Sequence, residues 1–337
     1  MLAEAAAVRG IAQRDGFDAR RPRFALLALT GVFVALAVLF MTYDLKGSLS
    51  YALEFRARKL GGLALVGFAV AYSSVLFHTV THNRILTPSL MGFDALYQLI
   101  QTSAAFFFGT FAVLQLDERI RFGIEIAIML AFATVLYRTL FGRDDRDLYV
   151  LVLVGIVMGL MFSSLTSLVS RLIDPNEFIA LQDRLFADFS RINQDLLVVS
   201  SAIILAVVAV SWRLLPRLDV VALGREHSTN LGVDHQRIVN EVLVVIALLV
   251  SVSTALVGPV TFLGLLVANL SYQVTGTFRH RYTVPAAVLL GMSALIGGQF
   301  ILQEVLASST RLSVVVSFVG GLYFIALLWR EARTARA

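Results

Sequence analysis

Residues Leu148 to Ser170 read LYVLVLVGIVMGLMFSSLTSLVS, 23 residues without one charged side chain. About 20 apolar residues in a helix cross the ~30 Å hydrocarbon layer of a bilayer, so this stretch is predicted to be one membrane-spanning helix. Nine more stretches of the same character lie at about 24–43, 60–80, 92–115, 122–141, 196–217, 238–257, 260–275, 284–304 and 312–330. The one at 260–275 is short and is expected to be tilted or partly re-entrant. All six prolines (Pro22, Pro88, Pro175, Pro216, Pro259 and Pro285) fall at or near predicted ends, where a residue that removes a helix hydrogen bond does least harm.

The predicted fold class is therefore all-α integral membrane, with about ten transmembrane helices. Composition agrees: 58% of the 337 residues are hydrophobic, 15% are charged and the mean hydropathy is +0.81, far from the surface requirement of a soluble domain. The connections are short, which leaves no room for a second domain. The expected division is a cytoplasmic tail at 1–23, one transmembrane domain at 24–330 and a cytoplasmic tail at 331–337. The first apolar stretch is too long for a signal-peptide core and lacks a cleavage site, so it is kept as a helix.

A net charge of +5 and a pI near 9.7 would suit nucleic acid, but the basic residues sit in short runs between apolar stretches rather than on one face. They read as topology signals. With the N-terminus inside, 18 of the 28 lysines and arginines fall on inside segments, among them Arg9, Arg14, Arg143, Arg146, Arg225 and Arg336. The other 10 (Lys46, Arg56, Arg58, Lys59, Arg119, Arg121, Arg171, Arg184, Arg191 and Arg311) fall outside, so both termini are expected in the cytoplasm. The long outside connection at about 171–195, with Phe178, Phe186 and Phe189, is expected to form a short amphipathic helix on the membrane.

Much chemistry is excluded. Without cysteine there are no disulfides, thiolate ligands or cysteine nucleophile. The only lysines, Lys46 and Lys59, do not follow glycine in a phosphate-binding loop, and neither a His-Glu-x-x-His helix nor a Gly-x-Ser-x-Gly elbow occurs. Ion-coupled carriers place ionisable groups at mid-membrane. Here Asp94, Glu125, Glu241 and Glu304 fall within about a turn of predicted ends, where a boundary carboxylate reaching the headgroups is expected. A pathway with neither a nucleotide site nor a coupling-ion site draws its energy from a partner.

The inside segment between the sixth and seventh stretches offers a docking surface for that partner: Ala222-Leu223-Gly224-Arg225-Glu226-His227-Ser228-Thr229-Asn230-Leu231-Gly232-Val233. Two Leu-Gly pairs eight residues apart can punctuate short helices around a tight turn. This segment resembles the coupling loop of the FecCD (BtuC-like) family of ABC permeases, which usually has alanine where Ser228 stands. Two other elements share the resemblance. Asn83-Arg84-Ile85-Leu86-Thr87-Pro88-Ser89-Leu90-Met91-Gly92-Phe93-Asp94 is similar to the family's Asn-Pro-Leu-Ala-x-Pro-x-x-Leu-Gly, with Arg84 in place of proline and Asp94 where a small residue is common. Gly258-Pro259-Val260-Thr261-Phe262-Leu263-Gly264-Leu265 is similar to its Gly-Pro-Ile-x-Phe-x-Gly-Leu, and is followed by Arg279-His280-Arg281 where relatives carry Asp-His-Arg.

The resemblance implies a type II ABC importer permease that takes a ferric siderophore into a bacterial cell across the cytoplasmic membrane, with haem and cobalamin as alternatives. It implies a coupling role for Leu223, Gly224, Arg225, Glu226, Ser228, Leu231 and Gly232, and an ATPase dimer that holds the ATP and Mg²⁺. No cofactor or metal is assigned to this chain. It also implies an extracytoplasmic binding protein and a second permease subunit, either a paralogue or a copy of this chain. A rival from another class is an ATP-independent secondary transporter. Arg56 and Arg58 match the arginines with which relatives dock the binding protein; as plain interfacial arginines they would reach lipid phosphates instead. Gln303 stands where the family has a further docking arginine.

Ser163, Ser164, Thr166, Ser167 and Ser170 enrich the fifth stretch in hydroxyls, with Ser163, Ser167 and Ser170 on one helical face. Small polar residues can serve close helix packing or line a weakly polar conduit; the resemblance places this helix, and Gly258-Pro259, at the pathway. His78 and His82, four apart, could cap an iron site or remain solvated.

Overall fold

A computed structural model describes residues 20–44, 48–141, 148–182, 185–190, 192–304 and 310–334. Arg9, Arg14, Lys46, Arg143, Arg146, Arg184, Arg191 and Arg336 lie outside the described residues.

Each of the ten apolar stretches holds a helix. In chain order these are α1 (Arg20–Thr42), α2 (Leu49–Thr81), α3 (Phe93–Phe108) continued by α4 (Thr110–Gln115), α5 (Glu118–Phe141), α6 (Leu148–Ser170), α8 (Gln194–Ser211) continued by α9 (Leu215–Val221), α11 (His235–Val257), α12 (Leu263–Thr275), α13 (His280–Glu304) and α14 (Leu312–Thr334). The short α7 (Pro175–Gln182) and α10 (Arg225–Asn230) lie in connections. Among the described residues, seven passes are long and apolar enough to cross a membrane by length and composition, namely α1, α2, α5, α6, α8 with α9, α11 and α13. The α7 helix appears within the 171–195 connection; its Leu181 packs with Ala105 and Ile173, and its Glu177 accepts the Thr110 N–H at 3.0 Å.

Local chemistry sets several of these ends. Asn193 caps α8 and Asp234 caps α11 by accepting the N–H groups of Asp195 and Arg237. Pro88 opens a single 3-10 turn, Pro88–Met91, ahead of α3. Pro285 departs from expectation: α13 starts at His280, four residues before the apolar run, so this proline lies inside the helix. Its missing N–H would have reached a carbonyl in the first turn, near the helix end, where the loss costs little.

The centre of the bundle is α2. Leu63, Val66, Ala69, Ala71, Tyr72, Val75, Leu76, Phe77 and Val80 are all fully buried, the pattern of a helix enclosed on every side. Its neighbours approach through glycine. A Cβ on Gly67 would stand 2.9 Å from the backbone of Gly291 in α13, and one on Gly264 of α12 would run into the Ser74 hydroxyl. Small residues permit this backbone contact, and so fix the crossing of α2 with α13 and α12.

The bundle has two distinguishable ends. One gathers the start of α1, the 82–84 turn, the 222–234 segment and the 276–279 turn: Arg21 lies against Gly276, and Asp219 of α9 bonds His280. We call this the loop end. The far end gathers Arg119 with Asp195, Glu118 with Asn193, and Arg311 with Asp188.

Candidate functional site

The loop end is built around two glycines. After α9 the N–H groups of Leu223 and Gly224 turn back onto Val220 and Val221, and Gly224 takes φ +95° to start α10. At its other end Gly232 takes φ +80° and donates to the Thr229 carbonyl at 2.9 Å, while Val233 donates to Ser228. Both angles lie where a Cβ is disfavoured, although nothing stands within 4 Å of either glycine. Two short helices, α9 and α10, thus meet at the Gly224 turn, as the paired Leu-Gly spacing predicts, and the Gly232 reversal leads on to α11. Leu223 (57% exposed) and Leu231 (64%) stand out beside exposed Arg225 and Glu226.

Ser228 is the buried face of that turn, with no solvent exposure. Its hydroxyl donates to the Arg225 carbonyl at 3.0 Å, which leaves its oxygen to accept from Nδ1 of His235 at 2.9 Å. Ser228 thus has a partner in the first residue of α11.

A second chain of contacts fastens the base of this segment. Asp219 accepts from the backbone N–H of His280 at 2.9 Å and from its Nδ1 at 2.6 Å; Nε2 of His280 lies 2.6 Å from the Thr79 hydroxyl. Thr79 donates its own proton to the Val75 carbonyl at 3.0 Å, so its oxygen is left to accept. Three elements meet in this chain: α9 immediately before the loop, the start of α13 and the end of α2. Sequence reasoning singled out Arg279-His280-Arg281 but not Asp219 or Thr79, which are remote in the chain.

On α6, Ser163, Ser164 and Ser167 are exposed together with Leu153, Val157, Leu160 and Leu168, so most of this helix is uncovered in the single chain. The hydroxyls of Ser164 and Ser167 bond the carbonyls of Leu160 and Ser163, four residues back, and stay on the helix. Ser170 is half-buried. Thr166 is buried and bonds Phe162, so it does not belong to the exposed face. The covered side packs through Gly155 and Gly159, where a Cβ would come within 3.1 Å of Met91 and Gly92. Gly258 and Pro259 are also off the exposed face. Both are buried; a Cβ on Gly258 (φ +100°) would stand about 3.1 Å from the Ala187 backbone, and the Asp188 N–H donates to the Val257 carbonyl at 2.8 Å. Behind them lies a cavity of only about 10 Å³, lined by hydroxyls of Ser73, Ser74, Ser89, Ser253 and Thr261. It holds a water at most.

Two of the four carboxylates expected at headgroups are interior. Asp94 is 8% exposed and accepts from Thr261 at 3.0 Å, because the 3-10 turn before α3 enters the bundle against α6 rather than its surface. Glu125 is 3% exposed, with Gln101 at 2.7 Å and Arg121 at 3.5 Å. Glu241 is a surface residue paired with Arg237, and Glu304 lies 3.8 Å from Arg56.

That last contact bears on docking. The Arg56 side chain is 11% exposed and donates to the carbonyls of Phe40, Tyr43 and Asp44, where α1 ends. A guanidinium there satisfies open helix carbonyls and favours the helix dipole. In the single chain the Arg56 guanidinium is thus engaged by the end of α1 and by Glu304. Arg58, a third exposed, pairs with Glu54 at 3.9 Å. Gln303 accepts from buried Lys59 at 3.2 Å. His78 is buried against Tyr272 while His82 is exposed past the helix end, so the two imidazoles do not converge. No group of three or more potential metal-ligating side chains occurs among the described residues.

Comparison with known proteins fits this architecture. A petrobactin import system permease protein of Bacillus subtilis is 45% identical over 314 residues, 93% of this chain and 99% of the relative. A second protein of that description in the same organism is 24% identical over 91% of this chain and 96% of its own length. The solved structure of a metal-chelate type ABC transporter in an inward-facing conformation superposes with a TM-score of 0.75 at 21% identity, covering 91% of this chain and 99% of that one, which supports the fold. The model of the FecCD transport family matches residues 26–330, and the chain belongs to that family.

Proposed function

We propose that this chain is the membrane permease of an ABC importer that brings a ferric siderophore into the cytoplasm, driven by ATP hydrolysis on a separate ATPase. The observation that carries the reading is the 45% identity, over nearly the full length of both chains, to a petrobactin import permease. That relative's name favours a siderophore over haem or cobalamin. Petrobactin itself is the first ligand to test.

In this reading ATP and Mg²⁺ belong to the ATPase dimer, and the segment at 222–233 is where that dimer engages the permease. Leu223, Arg225, Glu226 and Leu231 form the contact; Gly224 and Gly232 hold its shape and Ser228 anchors it to α11. A conformational change needs contacts that differ between two ATPase states. Movement of the short α10 helix reaches the bundle through Asp219, His280 and Thr79, which join the loop's base to α2 and α13. The uncovered face of α6, with Ser163, Ser164 and Ser167, meets a second permease subunit across the pathway. Two petrobactin permeases in one organism, at 45% and 24% identity to this chain, support a divergent companion rather than a second copy. The loop end then faces the cytoplasm of a bacterial cell with both termini, and the far end receives the binding protein. Arg58 is retained there as a candidate contact.

Deleting the gene for this chain from its host is expected to abolish uptake of radiolabelled ferric petrobactin, and the wild-type chain to restore it. Unchanged petrobactin uptake, with loss of uptake of haem or cobalamin instead, would overturn the substrate assignment.

A further inference from the structure

Beside the 222–233 segment, the loop end holds a pocket of about 580 Å³. It opens between the 82–84 turn, the 277–280 turn and the end of α9, and Leu223 forms part of its lining. Two observations define its chemistry. The Arg84 guanidinium lies 4.4 Å from the ring centre of Phe278 and 5.4 Å from that of Tyr272, a cation–π arrangement that fixes its plane. Among the described residues no carboxylate forms an ion pair with Arg84. Arg279 is a second exposed arginine in the lining.

The only carboxylate lining the pocket among the described residues is Asp219; it accepts two hydrogen bonds from His280 and is the electrostatic partner of Arg279, so Arg84 is the lining arginine for which no ion pair occurs among those residues. A planar guanidinium held by aromatic faces offers its N–H edge in the geometry that a carboxylate accepts two bonds from.

We propose that this pocket is a second docking point for the ATPase, receiving an acidic side chain from it against Arg84, with Arg279 at the rim. The inference rests on the reading of 222–233 as the ATPase contact, since Leu223 belongs to both surfaces: a partner seated on the loop faces the pocket directly. Charge complementarity there would set the register of the docked subunit, while the loop carries the motion.

The sequence makes a direct test available. Its only lysines are Lys46 and Lys59, both among the segments assigned to the far side, so a lysine introduced at the loop end is the one internal amine there. In the transporter isolated from native membranes with its ATPase, Arg84→Lys and Arg279→Lys are each treated with a water-soluble carbodiimide, with Leu231→Lys as the loop control. The expected result is an isopeptide bond from position 84 or 279 to an aspartate or glutamate of the ATPase, mapped by mass spectrometry. Arg84→Glu with Arg279→Glu is expected to lower ATPase retention about tenfold, because like charges at an interface are strongly disfavoured. A link from position 231 but none from 84 or 279, with retention intact in the double variant, would overturn the inference and leave the loop reading standing. No link from any of the three would overturn both. If the double variant loses bound phosphatidylglycerol but keeps its ATPase, the pocket is a lipid site and the proposal fails.

Discussion

Gly224 and Gly232 carry the sharpest requirement of any residues in the loop, because their φ angles of +95° and +80° are ones that side chains resist. Space is not the constraint at either position. Gly224→Val and Gly232→Val are each expected to cost about 1–2 kcal/mol of local backbone strain and to reshape α10 without unfolding the bundle. The check is a monodisperse variant with wild-type melting that has lost most siderophore uptake. Gly67 and Gly291 behave oppositely, since a Cβ on Gly291 would stand 2.6 Å from the Gly67 carbonyl oxygen. Gly291→Leu is expected to destabilise the protein by about 1–3 kcal/mol or more through overpacking, read as a lower melting temperature in detergent. Uptake per folded molecule is the wrong readout there; stability is the right one.

At the scale of elements, hydropathy made the helices legible because spanning segments are long, apolar and bounded by prolines and charges. It did not reveal which ends lie inside the bundle. Asp94 sits at the start of an apolar run, as a boundary residue would, yet the glycines of α6 admit the turn before it and bury it against Thr261. Glu125 is interior for a similar reason, met there by Gln101, 24 residues earlier in the chain. The hydrogen bonds of Arg56 to the end of α1, 12 to 16 residues back, are likewise invisible to hydropathy. The paired Leu-Gly spacing was readable because it encodes a local turn. By contrast, in the chain Asp219, His280 and Thr79 the central His280 bonds partners 61 and 201 residues away, and no local pattern signals it. His280→Gln and Asp219→Asn are expected to retain the ATPase and its basal hydrolysis while lowering the substrate carried per ATP several-fold. Unchanged stoichiometry in both variants would remove these residues from the transmission route.

In the whole molecule the exposed face of α6 and the loop end are both open in the single chain, although α1 and α8 with α9, with 17% and 22% of their windows buried, are barer than α6. A helix whose spanning window is only 28% buried lies against lipid or against another subunit. Ser167→Trp, which places a large ring on that face, is expected to reduce uptake at least tenfold while the chain still inserts and melts normally. If uptake survives that substitution, the α6 face does not border the pathway.

The importer proposed above draws its energy from a separate ATPase docked at the loop end. Reconstitution in proteoliposomes tests it most directly: the permease pair with and without its ATPase, the binding protein loaded with ferric petrobactin on one side, and ATP supplied or withheld on the other. Accumulation is expected only when the ATPase and hydrolysable ATP are both present. Accumulation at the same rate by the permease alone, driven by an ion gradient, would contradict it.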